Sequence, residues 1–203
     1  MSSWHELLGK PPSSLKWPYP IRYDVENEVN SDVLILGGGI AGCWAAVSAA
    51  KAGVQVALVE KGATLGSGAG IGCDHWQWAV TGVPGGKLNA EEFTHALVAN
   101  HGGYHNGIAR FIQAHEGYET LLELEQMGGK IRDTHDIFRG SRFRDEHTKL
   151  LFAYDYDSRL VMRVWGQGFK RALVNEMTKL GVHIFDRVMA TSLLTEDGGQ
   201  GTR

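Results

Sequence analysis

A three-layer α/β domain built on a parallel sheet is what this sequence predicts, and three observations carry that expectation. A short apolar run at residues 31–36 (SDVLIL) ends in a cluster of glycines. An alanine-rich stretch follows at 40–52 and closes on Gly53. A second apolar run, 54–60 (VQVALVE), then ends on an acid. Strand, glycine turn, helix and strand within about 30 residues is the length of one βαβ unit, whose two strands lie parallel.

Each element has its own local reason. The run at 31–36 is apolar on both faces, which predicts a strand buried on both sides. Ala41, Ala45, Ala46, Ala49 and Ala50 give the following helix a small-residue surface that can approach a sheet closely, and Gly53 suits the position just past its end. Residues 62–72 (GATLGSGAGIG) form a glycine-dense loop, and 74–86, with Trp76 and Trp78, read as irregular. Residues 89–100 read as a helix, with Asn89 as cap and Glu92 three positions on, as in a capping box. A longer helix is expected at 106–127, opened by Asn106 and followed by Gly128. Residues 130–157 are mixed, with many charges of both signs. At 166–180, Phe169, Leu173, Met177 and Leu180 recur at helical spacing before Gly181. Strands are expected at 182–185 and at 188–195. Ahead of all this, residues 1–30 are polar with Pro11, Pro12, Pro18 and Pro20, and read as an extended lead-in anchored by Trp4, Trp17 and Tyr19. The main domain is expected over 31–203.

Bulk properties remove several function classes. The 203 residues are 43% hydrophobic and 21% charged, enough to bury a core, and the net charge is −3. No clustered basic excess marks a nucleic-acid partner. Cys43 and Cys73 form neither a disulfide framework nor a metal-ligand spacing, in keeping with a reducing compartment. The N-terminus lacks the apolar core of a secretory signal. No run of about 18 apolar residues exists, so no membrane span is expected. A cytoplasmic setting follows, and docking on a membrane complex stays open.

The chemistry lies in the glycine turn. Gly37, Gly39 and Gly42 fit G-x-G-x-x-G between a strand and a helix, the context that gives this spacing meaning. The first glycine permits the tight turn, the second lets a pyrophosphate approach the backbone, and the third lets helix and strand pack. The helix N-terminus then offers free N–H groups and the positive end of its dipole. Glu60 closes the second strand 18 residues beyond Gly42, where a carboxylate can accept hydrogen bonds from ribose hydroxyls. Lys61 follows this acid rather than replacing it, which argues against a 2′-phosphate. The turn alone does not separate FAD from NAD. The small-residue loop at 62–72 does, because its backbone can lie along a long, flat cofactor, and it points to FAD.

These residues, SDVLILGGGIAGCWAAVSAAKAGVQVALVEKG followed by GSGAGIG, resemble the N-terminal FAD domain of the fumarate reductase/succinate dehydrogenase flavoprotein family. That family includes adenylylsulfate reductase α subunits, aspartate oxidase and ketosteroid dehydrogenases. The resemblance covers residues 32–72 strongly, 166–194 more weakly and 74–163 only loosely. It implies a Rossmann-like FAD domain. Gly37, Gly38, Gly39, Ile40, Ala41 and Gly42 would surround the pyrophosphate, and Glu60, with Lys61 beside it, would bind the adenosine ribose. Thr64, Ser67, Gly68, Ala69, Gly70 and Ile71 would run past the ribityl chain and flavin. Val188 would contact adenine through its backbone. Members with covalent flavin use a histidine in the loop corresponding to residues 61–70. This loop has none, so the resemblance implies non-covalent FAD. It also implies a small-molecule substrate and an iron–sulfur or other electron-transfer subunit as partner. It places a capping domain and further strands beyond Leu194, so the domain is expected to be incomplete and inactive alone.

Other polar clusters read as structural. His75 and Trp76 follow the loop and could approach the isoalloxazine, though His75 reads first as a hydrogen-bonded structural histidine. His101 and His105, with His95 upstream, read as surface histidines rather than a metal site, because Gly102 and Gly103 break the helix between them. Arg139, Arg142 and Arg144 are interleaved with Asp136, Asp145 and Glu146 and read as a solvated surface. Cys43 reads as a packing residue, and Cys73 is the better redox candidate of the two. The function expected is FAD-dependent oxidoreduction by hydride exchange at flavin N5. The alternatives are a non-catalytic FAD-binding or electron-relay module and a nicotinamide-dependent dehydrogenase.

Overall fold

A computed structural model of the chain describes residues 27–71, 75–79, 88–155 and 161–193. The chain divides into units Met1–Asn30 and Ser31–Arg203. Trp4, Trp17 and Tyr19, expected to anchor the lead-in, lie outside the described residues, as does Cys73.

The predicted βαβ unit forms in the second unit. Strand β1 (Val33–Leu36) leads through the turn into helix α1 (Ile40–Lys51) and then strand β2 (Val56–Glu60). The strands pair in parallel, Val33 against Val56 through Leu36 against Val59. Strand β6 (His183–Asp186) adds in parallel on the far side of β2, giving the order β1–β2–β6. Central β2 is buried through Val56, Ala57 and Leu58. Strand β1 departs from expectation. Leu34 and Leu36 are 55% and 49% exposed, because α1 covers only the Val33 and Ile35 face among the described residues.

Helix α4 (Phe169–Lys179) lies against α1, and the two share one core of Cys43, Ala46, Val47, Leu173 and Met177. Helices α2 (Ala90–Asn100) and α3 (Gly107–Gln126) pack together and add Phe93, Leu121 and Leu124. Asn89 and Glu92 make the reciprocal capping box that the sequence spells out.

Two expectations need correction. Residues 74–86 and 130–157 each contain a strand that the sequence reading missed, and a third lies at 161–165, for which no element was expected. β3 (His75–Ala79), β4 (Leu151–Asp155) and β5 (Val161–Trp165) form an antiparallel sheet in the order β3–β5–β4. Conversely, residues 188–193 form no strand. The chain leaves β6 through Arg187 in the left-handed region (φ 62), and the Arg187 and Val188 amides donate to the carbonyls of Gly62 and Glu60. Those bonds fold the segment over the end of β2 instead of extending it.

Candidate dinucleotide site

The site grows from the end of β1. The Gly37 amide donates to the Val59 carbonyl at 2.8 Å, tying the turn to β2, and Gly37 sits at φ 101, where a side chain would be strained. A Cβ on Gly42 would lie 1.9 Å from the Gly37 carbonyl, so this helix start is possible only with glycine. At Gly39, as at Gly37, a Cβ would meet no atom within 4 Å among the described residues. That open space lies at the N-terminus of α1, which has no side-chain cap and no acid in its first turn. Among the described residues the N–H groups of Gly39, Ile40, Ala41 and Gly42 donate no hydrogen bond. Free donors, an uncompensated positive dipole end and open space together suit a pyrophosphate.

Glu60 turns inward from the end of β2 and is only 5% exposed. Its Oε2 accepts from the Gly38 amide at 2.6 Å and the Ser67 hydroxyl at 2.7 Å, and its Oε1 accepts from the Gly62 amide at 2.8 Å. The Gly62 amide, the Ser67 hydroxyl and the Gly38 amide together hold its pKa down to about 2. The carboxylate therefore joins strand, turn and loop while keeping acceptor capacity.

The loop after β2 lies on the turn. Thr64 is buried, and a Cβ on Gly38 would come within 2.9 Å of its Oγ1. The Thr64 amide and hydroxyl both donate to Asp186 Oδ1, at 2.8 and 2.6 Å. Asp186, at the end of β6, is a residue the sequence reading missed. A Cβ on Gly68 would stand 3.1 Å from Gly39 Cα, and one on Gly70 would overlap the Ile40 side chain. Small residues here let two backbone segments touch. Ala69 and Ile71 bound a short 3₁₀ turn, Gly68 and Ala69 are exposed, and Lys61 is exposed beside the site. The Val188 amide is occupied by the Glu60 carbonyl, which leaves its carbonyl as the backbone group for a ligand.

Lys170, in the first turn of α4, was also missed. It is 4% exposed, and its ammonium donates to the Gly38 carbonyl and to Cys43 Sγ, the latter at 3.2 Å. The available signal was its place in the apolar stripe with Leu173 and Met177, a position where a lysine needs a reason. Cys43 is fully buried, and burial pushes its thiol pKa up, in keeping with a packing role. An open cavity of about 460 Å³ lies between the loop (Ala63, Leu65, Gly66, Gly70) and the start of α4 (Gly168, Lys170, Arg171).

Among the described residues, the ion pairs and ring contacts of the remaining candidates involve no residue of the glycine turn. Arg139 and Arg142 are exposed as expected, but Arg144 is not a solvated residue. Its side chain is 1% exposed, with Nε 2.9 Å from Asp133 Oδ2 and its terminal nitrogens on Asp136 and Glu146. Buried Asp133 sits beneath it, so the guanidinium closes a structural network. His101 and His105 meet edge-on at 4.3 Å, His95 is exposed, and no group of three metal-ligating side chains occurs among the described residues. The His75 and Trp76 side chains lie outside the described residues.

The sequence matches the family described as FAD binding domain over residues 32–202. The chain belongs to that family. FAD is thus the cofactor of this domain, and an open turn, amides that donate no bond among the described residues and an inward acid are features that would fit it. No curated protein matches the sequence. Among solved structures the chain is similar to adenylylsulfate reductase from the hyperthermophilic Archaeoglobus fulgidus, at 23% identity and a TM-score of 0.60, covering 78% of this chain and 24% of that one. It is similar to the Mycobacterium smegmatis Sdh1 complex, at 19% identity and 0.58, covering 77% and 27%. It is also similar to a 3-ketosteroid-Δ4-(5α)-dehydrogenase from Rhodococcus jostii RHA1 in complex with 4-androstene-3,17-dione, at 18% identity and 0.60, covering 87% and 42%. The chain therefore spans about a quarter to two fifths of the proteins it resembles. Among the described residues no helix is long and apolar enough to cross a membrane.

Proposed function

We propose that this chain holds the ADP half of a non-covalently bound FAD for a flavin-dependent oxidoreductase of the fumarate reductase/succinate dehydrogenase type. The observation that carries the reading is the open space at Gly39 at the start of a helix where, among the described residues, the amides of Gly39, Ile40, Ala41 and Gly42 donate no hydrogen bond. Those amides bind the pyrophosphate. Glu60, with three protein donors and room for about one more, accepts from the adenosine ribose. The Val188 carbonyl is the backbone acceptor for adenine. Ser67 through Ile71 run past the ribityl chain, and Ser67, Gly68, Ala69 and Gly70 are small enough for their backbone to approach it. Bound FAD supplies hydride exchange at N5 with a small-molecule substrate, and the protein contributes placement and electrostatics. The absence of histidine in residues 61–70 supports non-covalent attachment. Family resemblance supports an iron–sulfur or other electron-transfer subunit as partner, in the cytoplasm or at the edge of a membrane complex.

The test is the visible spectrum of purified chain incubated with FAD and then precipitated with acid. A flavin band that moves wholly to the supernatant is expected. Flavin retained in the pellet contradicts non-covalent binding, and protein that takes up no flavin contradicts the reading as a whole. A nicotinamide enzyme would instead take up NAD and remain colourless.

A further inference from the structure

We infer that Lys170 is a positioning residue for the dinucleotide: by holding the Gly38 carbonyl, it turns the Gly39 N–H toward the pyrophosphate. The inference rests on the reading of this turn as the FAD site. Lys170 is 4% exposed and donates to the Gly38 carbonyl and the Cys43 sulfur. Among the described residues no carboxylate pairs with it: the ion pairs there involve Lys51, Arg132, Arg144, Lys149 and Lys179. A buried ammonium without a counter-charge is costly, and an apolar side chain of similar size would serve packing better. The same face of α4 carries fully buried Leu173 and Met177, so packing alone gives no reason for a charge here.

The reason is on the turn side. The peptide between Gly38 and Gly39 is trans, so its carbonyl and N–H point in opposite directions. With the carbonyl held by Lys170, the Gly39 N–H must face away from α4. It donates to nothing among the described residues, and the space at Gly39 is open. Glu60 meanwhile holds the Gly38 N–H at 2.6 Å. Gly38 is thus fixed on one side by an anion and on the other by a cation, and a residue with the broadest conformational freedom is held in one state. The ammonium, which forms no direct ion pair among the described residues, also sets a positive charge behind a site that receives a doubly anionic ligand.

The test titrates the full 203-residue chain with ADP, FAD and adenosine, using wild type, Lys170→Met and Lys170→Arg. Lys170→Met is expected to weaken ADP and FAD by about tenfold or more, the scale of a lost charge-assisted contact. Adenosine, which has no pyrophosphate, should bind it and wild type alike. The melting temperature of apo Lys170→Met should equal or exceed that of wild type, because a buried unpaired charge has been removed. Lys170→Arg, which can still hold the carbonyl, should lie between the two in ADP affinity. Equal ADP affinity in wild type and Lys170→Met overturns the role. So does an equal loss for adenosine, which would mean general loosening of the site. If Lys170→Met does not fold, Lys170→Gln replaces it with the same expectations, and failure of both to fold marks the lysine as purely structural. A wild-type chain that binds neither ADP nor FAD overturns the FAD reading itself.

Discussion

Three protein donors converge on the Glu60 carboxylate, and a carboxylate has about four acceptor positions to offer. The residue therefore has two consequences that can be separated. Glu60→Ala should weaken FAD binding by about 1–3 kcal/mol, and it should also lower apo stability, because it leaves the buried Gly38 amide without its acceptor. Glu60→Gln keeps one acceptor and should lose less of both, which fluorescence titration and thermal melting would show. Equal FAD affinity in wild type and Glu60→Ala would mean that Glu60 does not reach the ribose. Acid gives an independent check. The folded-state pKa is about 2, below the ordinary value of 4.5, so the stabilisation is full above pH 4.5 and disappears as pH falls from there toward 2. A melting temperature that declines over that window in wild type and declines less in Glu60→Gln is expected. Identical acid profiles would show that Glu60 contributes nothing to the pH dependence.

Among the elements, helix α2 offers the cleanest test of local sequence logic. Asn89 accepts from the Glu92 amide at 2.9 Å, and Glu92 accepts from the Asn89 amide at 3.0 Å. Asn89→Ala should cost about 1 kcal/mol, read as a lowered urea midpoint with an unchanged slope. No change would mean that the cap is redundant. This cap, the βαβ unit and the glycine turn were legible in the sequence because each is a signal among near neighbours. The antiparallel sheet was not, because β3 pairs with β5 across a stretch of chain that includes two helices, and short runs such as HWQWA carry weak periodicity. The strand expected at 188–195 failed for a related reason. A left-handed Arg187 and two bonds, one to Glu60 at the end of β2 and one to Gly62 just past it, outweigh the apolar pattern of Val188, Met189 and Leu193 over the described residues 188–193. The same holds inside the site. The turn and Glu60 can be read from spacing, whereas Lys170 meets Gly38 across 132 residues and Thr64 meets Asp186 across 122.

For the molecule as a whole, the parallel sheet, the two helices sharing a core and the loop lying on the glycine turn converge on one end of β1 and β2. That end is where ligands bind in open α/β folds, outside the carboxyl ends of the strands. Membership of the FAD binding domain family over residues 32–202 identifies the ligand, and the proposed contact is made by the amides at the start of α1, which donate no hydrogen bond among the described residues. The direct measurement is gel filtration of wild type and Gly39→Val after incubation with FAD, following flavin absorbance and far-ultraviolet circular dichroism of the protein peak. A valine side chain would occupy the open space beside the start of α1, where a Cβ on Gly39 meets no atom within 4 Å among the described residues. Wild type should carry a flavin band, and Gly39→Val should fold, with near wild-type dichroism, and carry none. A folded Gly39→Val protein that keeps its flavin would contradict the placement of the cofactor at this turn.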